Sequence, residues 1–151
     1  MKIPWKRSSG GLTLIEVMVT VFVIAIAVIG AMGFRYFCAL DARKADVQIT
    51  GARLGWMLLE NWKAAGGDAT YQPEMNQTQL PSGPGPAQPA GFDLLGSYHV
   101  YLDGAHYYAT LSSRDSTAGT ARTLNVNVAW MSRGQQWDGS GTTLGLTTYM
   151  N

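Results

Sequence analysis

From Leu12 to Phe34 the chain runs through 23 residues with a single charge, Glu16, before Arg35 closes the run. As a helix rising about 1.5 Å per residue it reaches roughly 34 Å, enough to cross a hydrocarbon core of about 30 Å. Val17, Val19, Val21, Val23 and Val28 favour helix poorly in water. In lipid, however, a helix is the one single-segment solution that satisfies its own backbone. A carboxylate at the centre of such a segment costs about 2.5–3.5 kcal/mol, so Glu16 needs a partner or a place at the edge. Gly30 and Gly33, near the far end, permit close helix packing or local loosening.

Ahead of the run, residues 1–11 carry Lys2, Lys6 and Arg7 and no acid. A short basic leader before an apolar segment predicts a cytoplasmic N-terminus. In a secretory signal peptide the cleavage site follows the apolar region; here a Gly-Leu step precedes it. Gly11-Leu12-Thr13-Leu14-Ile15-Glu16 resembles the processing site of type IV prepilins and of the pseudopilins of type II secretion. Their pattern is Gly, then Phe, then Thr-Leu-Ile-Glu, then an apolar helix; Leu12 stands where Phe is usual. The resemblance covers about 25 residues, leader and first helix only.

The resemblance implies cleavage between Gly11 and Leu12 by a membrane prepilin peptidase, which also N-methylates the new terminus at Leu12. Gly11, lacking a side chain, lets the backbone enter a narrow protease cleft. Glu16 would then pair with the terminal amine of a neighbouring subunit and set the axial stagger of a fibre. The plainer alternatives are an uncut signal-anchor and a structural polar residue at the membrane edge.

A chain of 151 residues and 16.3 kDa suits one compact domain plus an anchor. Its net charge of +1 gives no global attraction to nucleic acid. Cleavage after Gly11 would remove three of the 11 basic side chains and leave eight against 10 acidic ones, a net of −2. Cys38 is the only cysteine, so no intramolecular disulfide can form. A buried, inert thiol is the plain reading of Cys38; a lipid or intersubunit disulfide site is the alternative.

The chain divides into a leader (1–11), a membrane and assembly helix (12–34), an amphipathic helix (35–67), a Pro/Gly-rich loop (68–93) and an antiparallel β-sheet head (94–151). In the amphipathic part, Leu40, Val47 and Leu54 form one heptad row and Gly51, Leu58 and Ala65 a second. Arg43, Lys44, Asp46, Gln48 and Arg53 fall off this stripe, whereas Trp56, Leu59 and Trp62 widen it toward a core. Gly66-Gly67 stops the helix. Pro73, Pro81, Pro84, Pro86 and Pro89, with Gly83 and Gly85, predict an extended, mobile connection.

Asp103-Gly104 predicts a two-residue hairpin turn within Tyr98 to Leu111. That turn sets Leu102 opposite Ala105, Val100 opposite Tyr107 and Tyr98 opposite Ala109. Tyr98, Val100, Leu102, Ala105, Tyr107, Ala109 and Leu111 share the core face; Ser97, His99, Tyr101, His106, Tyr108, Thr110 and Ser112 share the wetter one. Thr123 to Met131 alternates likewise, with Leu124, Val126, Val128 and Trp130 inward and Asn125 and Asn127 outward. Thr142 to Tyr149 supplies the last strand. The fold class is α+β: a long N-terminal helix packed on a four-strand antiparallel meander, the pilin architecture.

Nothing in the chain predicts catalysis or a cofactor. His99 and His106 have no third ligand nearby, and Ser112, Ser113 and Ser116 lack a nucleophile elbow or paired carboxylates. Asp138-Gly139-Ser140-Gly141 has one carboxylate, too few for calcium. Tyr101 and Tyr108 are expected at the surface as a subunit contact or adhesive patch. The resemblance implies a structural subunit, a minor pilin of the pilus-modification class. Its partners are other pilin or pseudopilin subunits, the prepilin peptidase and N-methyltransferase, and the inner membrane before assembly. A type II secretion pseudopilin is the alternative. A DNA-uptake fibre component would need a basic patch, for which Arg114, Arg122 and Arg133 are scattered. No nucleic-acid partner is expected.

Overall fold

The computed structural model describes residues 13–116, 121–131, 137–139 and 141–150. One helix, α1 (Leu14–Ala64), is followed by two short strands, β1 (Glu74–Met75) and β2 (Thr78–Gln79). Four long strands follow: β3 (Asp93–Leu102), β4 (Ala105–Asp115), β5 (Arg122–Met131) and β6 (Thr142–Met150). The architecture is α+β, a helix packed on a four-strand antiparallel sheet of order β3-β4-β5-β6. Two compact units divide at Arg43 and Lys44.

The first unit is the amino-terminal part of α1. It runs through Gly30 and Gly33 without a break, and its apolar side chains from Leu14 to Phe37 stand exposed.

In the second unit, α1 buries Gly51, Leu54, Gly55, Leu58, Leu59 and Trp62. Gly51 faces the Trp130 ring, Gly55 faces Val128 and Leu146, and Gly67 faces Leu124 and Met150. The helix therefore lies along β5 and β6. A Cβ at Gly51 or Gly55 would sit within 3.0 Å of those side chains, so the absence of one sets how closely helix and sheet approach. Arg43, Lys44, Asp46, Gln48 and Arg53 are exposed, as the heptad rows predict.

One expectation fails here. Trp56 does not join the core; it is 55% exposed, while Trp62 is fully buried. At about 100° per residue, Leu59 and Trp62 share the arc of Leu58 and Gly55, and Trp56 falls outside it. The helix ends as Gly66-Gly67 predicts. Both have positive φ, Gly66 N–H donates to the Lys63 carbonyl and Gly67 N–H to the Trp62 carbonyl, each at 3.0 Å. That pair of bonds is a Schellman cap.

The hairpin register is as the Asp103-Gly104 turn predicts: Leu102 pairs with Ala105, Val100 with Tyr107 and Tyr98 with Ala109. Both turn residues have positive φ, which matches the twist of the flanking strands. The apolar face packs under the helix, with Tyr107, Ala109, Leu111, Leu124, Val126 and Val128 at 0–1% exposure. Each leucine and valine among them contributes roughly 1.5–3 kcal/mol by leaving water.

The opposite face departs from expectation. Tyr108, Thr110, Ser112 and Asn125 lie on the face away from the helix yet are buried. The Pro/Gly-rich segment accounts for part of this cover, and it is tied down along its path. Ser82 bridges Tyr98 at the outer edge of β3; His99 N–H donates to the Pro81 carbonyl and Gly83 N–H to the Ser97 carbonyl, both at 3.0 Å. The segment then passes over Ser97 and Thr110 at Gly85, where any Cβ would collide with both. Asn127 Nδ2 on β5 donates to the Ala87 carbonyl at 2.8 Å. Proline and glycine keep this segment from forming a regular strand, and the sheet still holds it. Earlier in the same connection, β1 and β2 pair around Asn76-Gln77, both at positive φ, a small hairpin outside the sequence expectation.

Candidate assembly and processing site

Gly11 and Leu12, the predicted cleavage pair, lie outside the described residues, as do Lys2, Lys6 and Arg7. From Thr13 onward the contacts of the motif are local to the first helical turn. Glu16 N–H approaches Thr13 O at 3.0 Å and Thr13 Oγ1 at 3.4 Å, and Val17 N–H donates to Thr13 O at 3.2 Å. Thr13 therefore caps α1, and Thr13-Leu14-Ile15-Glu16 has the Thr-x-x-Glu spacing of a capping box. Glu16 sits in the first turn, where the helix dipole favours a negative charge. The motif read from sequence as a processing signal thus also has a reason to start a helix there. The spacing was available in the sequence.

Beyond Glu16, Leu14 to Phe34 presents an exposed apolar surface all round, long and apolar enough to cross a membrane. Cys38 is exposed on the same helix, which corrects the expectation of a buried thiol.

On the head, the structure brings His99 and His106 together. His99 Nε2 lies 2.9 Å from His106 Nδ1, with centroids 5.1 Å apart and planes inclined at 19°. Tyr101 packs on His106 at 4.8 Å and Tyr108 on His99 at 4.9 Å, and Trp137 follows Tyr108 at 5.3 Å. The result is a row of five rings across β3 and β4. The hairpin register placed both histidines on one face; the contribution of Trp137 had no sequence signal. Tyr101 is 58% exposed, but Tyr108 is 5% exposed, so the expected pair of surface tyrosines reduces to one.

Among the described residues no three His, Cys, Asp or Glu side chains come together to hold a metal. Asp138 is exposed, and Ser140 lies outside the described residues. Among the described residues, Arg114 and Arg122 are engaged separately. Arg122 holds Asp115 through Nε and Nη2 at 2.6 and 3.2 Å and the Gly67 carbonyl through Nη1 at 2.7 Å. Arg114 lies over the Phe92 ring at 5.0 Å, and Arg133 is outside the described residues. The Arg122 guanidinium holds the Asp115 carboxyl below its ordinary value.

A family model, the prokaryotic N-terminal methylation motif, matches residues 6–32. With the long apolar helix that follows, this motif supports a type IV pilin-like prepilin, a precursor of the pilin or pseudopilin type. It implies a structural subunit rather than an enzyme, and it is compatible with membrane anchoring before assembly. Neither the curated proteins nor the solved structures contain a significant match to the chain.

Proposed function

We propose that the chain is a minor pilin, a structural subunit of a type IV pilus-like fibre. The observation that carries this reading is the exposed apolar half of α1 with a single carboxylate, Glu16, in its first turn. Such a surface is stable in lipid or against other helices like it. The subunit begins in the inner membrane with its N-terminus cytoplasmic and its head outside. The prepilin peptidase cuts between Gly11 and Leu12 and methylates Leu12. The helix then exchanges lipid for neighbouring helices, and Glu16 pairs with a neighbour's terminal amine, which fixes register. A carboxylate without that amine would be costly inside the bundle.

Mass spectrometry of the protein isolated from its host tests processing. The expected N-terminus is methyl-Leu12; a chain still starting at Met1 refutes the reading. Glu16→Ala is expected to be processed yet to enter fibres poorly, because cleavage reads Gly11 while register reads the charge. A pseudopilin would share both outcomes. It is distinguished by loss of protein secretion, not of surface pili, when the chain is deleted.

A further inference from the structure

The two edges of the sheet differ. The outer edge of β3 is guarded by the Ser82 bridge and its two backbone hydrogen bonds. The outer edge of β6 has no strand beside it among the described residues, and Thr142, Thr143, Gly145, Thr147 and Tyr149 are exposed. β6 contains no charged residue and no proline, the devices that usually keep an edge from pairing. Its residues 142–148 read Thr-Thr-Leu-Gly-Leu-Thr-Thr, the same in both directions about Gly145.

A palindrome on a free edge is self-complementary in antiparallel pairing. We propose that β6 is a docking edge for the β6 strand of a second copy of this chain, paired antiparallel about Gly145. In that register Thr142 meets Thr148, Thr143 meets Thr147, Leu144 meets Leu146 and Gly145 meets itself. Within each face like meets like: Thr142, Leu144, Leu146 and Thr148 on the helix side, and Thr143, Gly145 and Thr147 on the other. The two sheets become one of eight strands.

The helix supports the same pairing. Because α1 lies over β5 and β6, and strands are about 4.8 Å apart, the two-fold would bring the two helices to about 10 Å, a normal packing distance. The flank of α1 turned toward β4 carries Val47, whose carbonyl accepts from Tyr107 Oη at 3.3 Å. The other flank, next to Gly55 and Leu146, leads to Ala52 and the exposed Trp56. The surface tryptophan that the core does not use therefore faces the second copy. Since the two-fold stands perpendicular to the sheet, the two helical segments between Lys44 and Ala64 run in opposite directions. The pairing concerns the unit from Lys44 onward alone. It does not depend on the assembly role proposed above.

The test is disulfide trapping of the full chain in detergent, with Cys38→Ser as background. Differently tagged Thr143→Cys and Thr147→Cys chains are mixed and mildly oxidised. Both positions are exposed, and directly opposed residues on neighbouring strands fall within disulfide reach. The expected result is the mixed dimer in excess over either self-dimer by on the order of ten-fold, because pairing raises the local concentration of the matched thiols alone. Adding Trp56→Ala to both chains is expected to lower the mixed dimer several-fold. A statistical mixture of the three dimers, a predominance of Thr143→Cys self-dimer, or no dimer would each overturn the proposal.

Discussion

His99 and His106 meet end to end: Nε2 of the first is 2.9 Å from Nδ1 of the second, and the centroids are 5.1 Å apart. Two imidazoles joined through facing nitrogens must have about this centroid separation, so the contact is an in-plane N–H···N bond and not a face-to-face stack. Such a bond holds one proton between two nitrogens, and a second proton there would oppose the first.

Acid should therefore loosen this part of the head. Burial, and then the neighbouring His106, lower the His99 pKa below its ordinary 6.5. The folded state takes up a proton later than the unfolded chain. The stabilisation is fully present above pH 6.5 and is lost progressively as pH falls from there toward the lowered folded value. Thermal melting between pH 7.5 and 5.5 should show a falling midpoint, and His99→Asn with His106→Asn should flatten that slope.

The two tryptophans of α1 should separate sharply in stability. Trp62 is fully buried, and its Nε1 donates to the Asp68 carbonyl at 2.9 Å, so Trp62→Ala should cost about 3–5 kcal/mol. Trp56→Ala removes exposed surface and should change stability by less than about 0.5 kcal/mol. Urea unfolding followed by far-UV circular dichroism reads both.

Gly85→Ala should release the Pro/Gly-rich segment from the sheet. The added methyl would meet the side chains of Thr110 and Ser97, which are hydrogen-bonded to each other, so that pair or the segment must shift. Overpacking of this kind costs about 1–3 kcal/mol. Hydrogen exchange should rise at the Gly83 and His99 amides, which bond across that junction, and stay unchanged at Ala109 and Val126 in the sheet interior.

Asp115 should contribute to stability only in its ionised form. The Arg122 hydrogen bond, opposed in part by desolvation and helped by a smaller charge attraction, leaves its pKa below the ordinary 3.8. The contribution is present above about that value and lost as pH falls through the lowered one. The pair is largely solvated, so the effect should be small and weaker in high salt. Asp115→Asn should reduce, by a small amount, the acid-side slope that remains in the His99→Asn, His106→Asn background, and Asp68, whose pKa its hydrogen bonds with Thr70 also lower, should carry part of the rest.

The parts of this fold that were legible in the sequence are those governed by neighbours along the chain. Asp103-Gly104 fixes register because two residues of positive φ leave one way for the strands to meet. Gly66-Gly67 fixes the helix end for a similar local reason. Trp56 was misplaced because its apolar character outweighed its angular position, and one residue of phase separates core from surface on a helix. The burial of Tyr108 and Thr110 was invisible because part of their cover comes from distant segments, Trp137 on the first and the stretch around Gly85 on the second, that carry no hydrophobic period. The capping role of Thr13 was legible but overshadowed by the stronger motif that contains it.

The path of residues 81–87 has a further result. Pro84, Ala87 and Gln88 look outward while backbone groups at Pro81, Gly83 and Ala87 grip the sheet. Outward side chains on this stretch can be exchanged without altering any of those grips. The exterior character of the head on that side is thereby uncoupled from the frame beneath it, so the subunit can change what it shows to its surroundings while keeping how it is built.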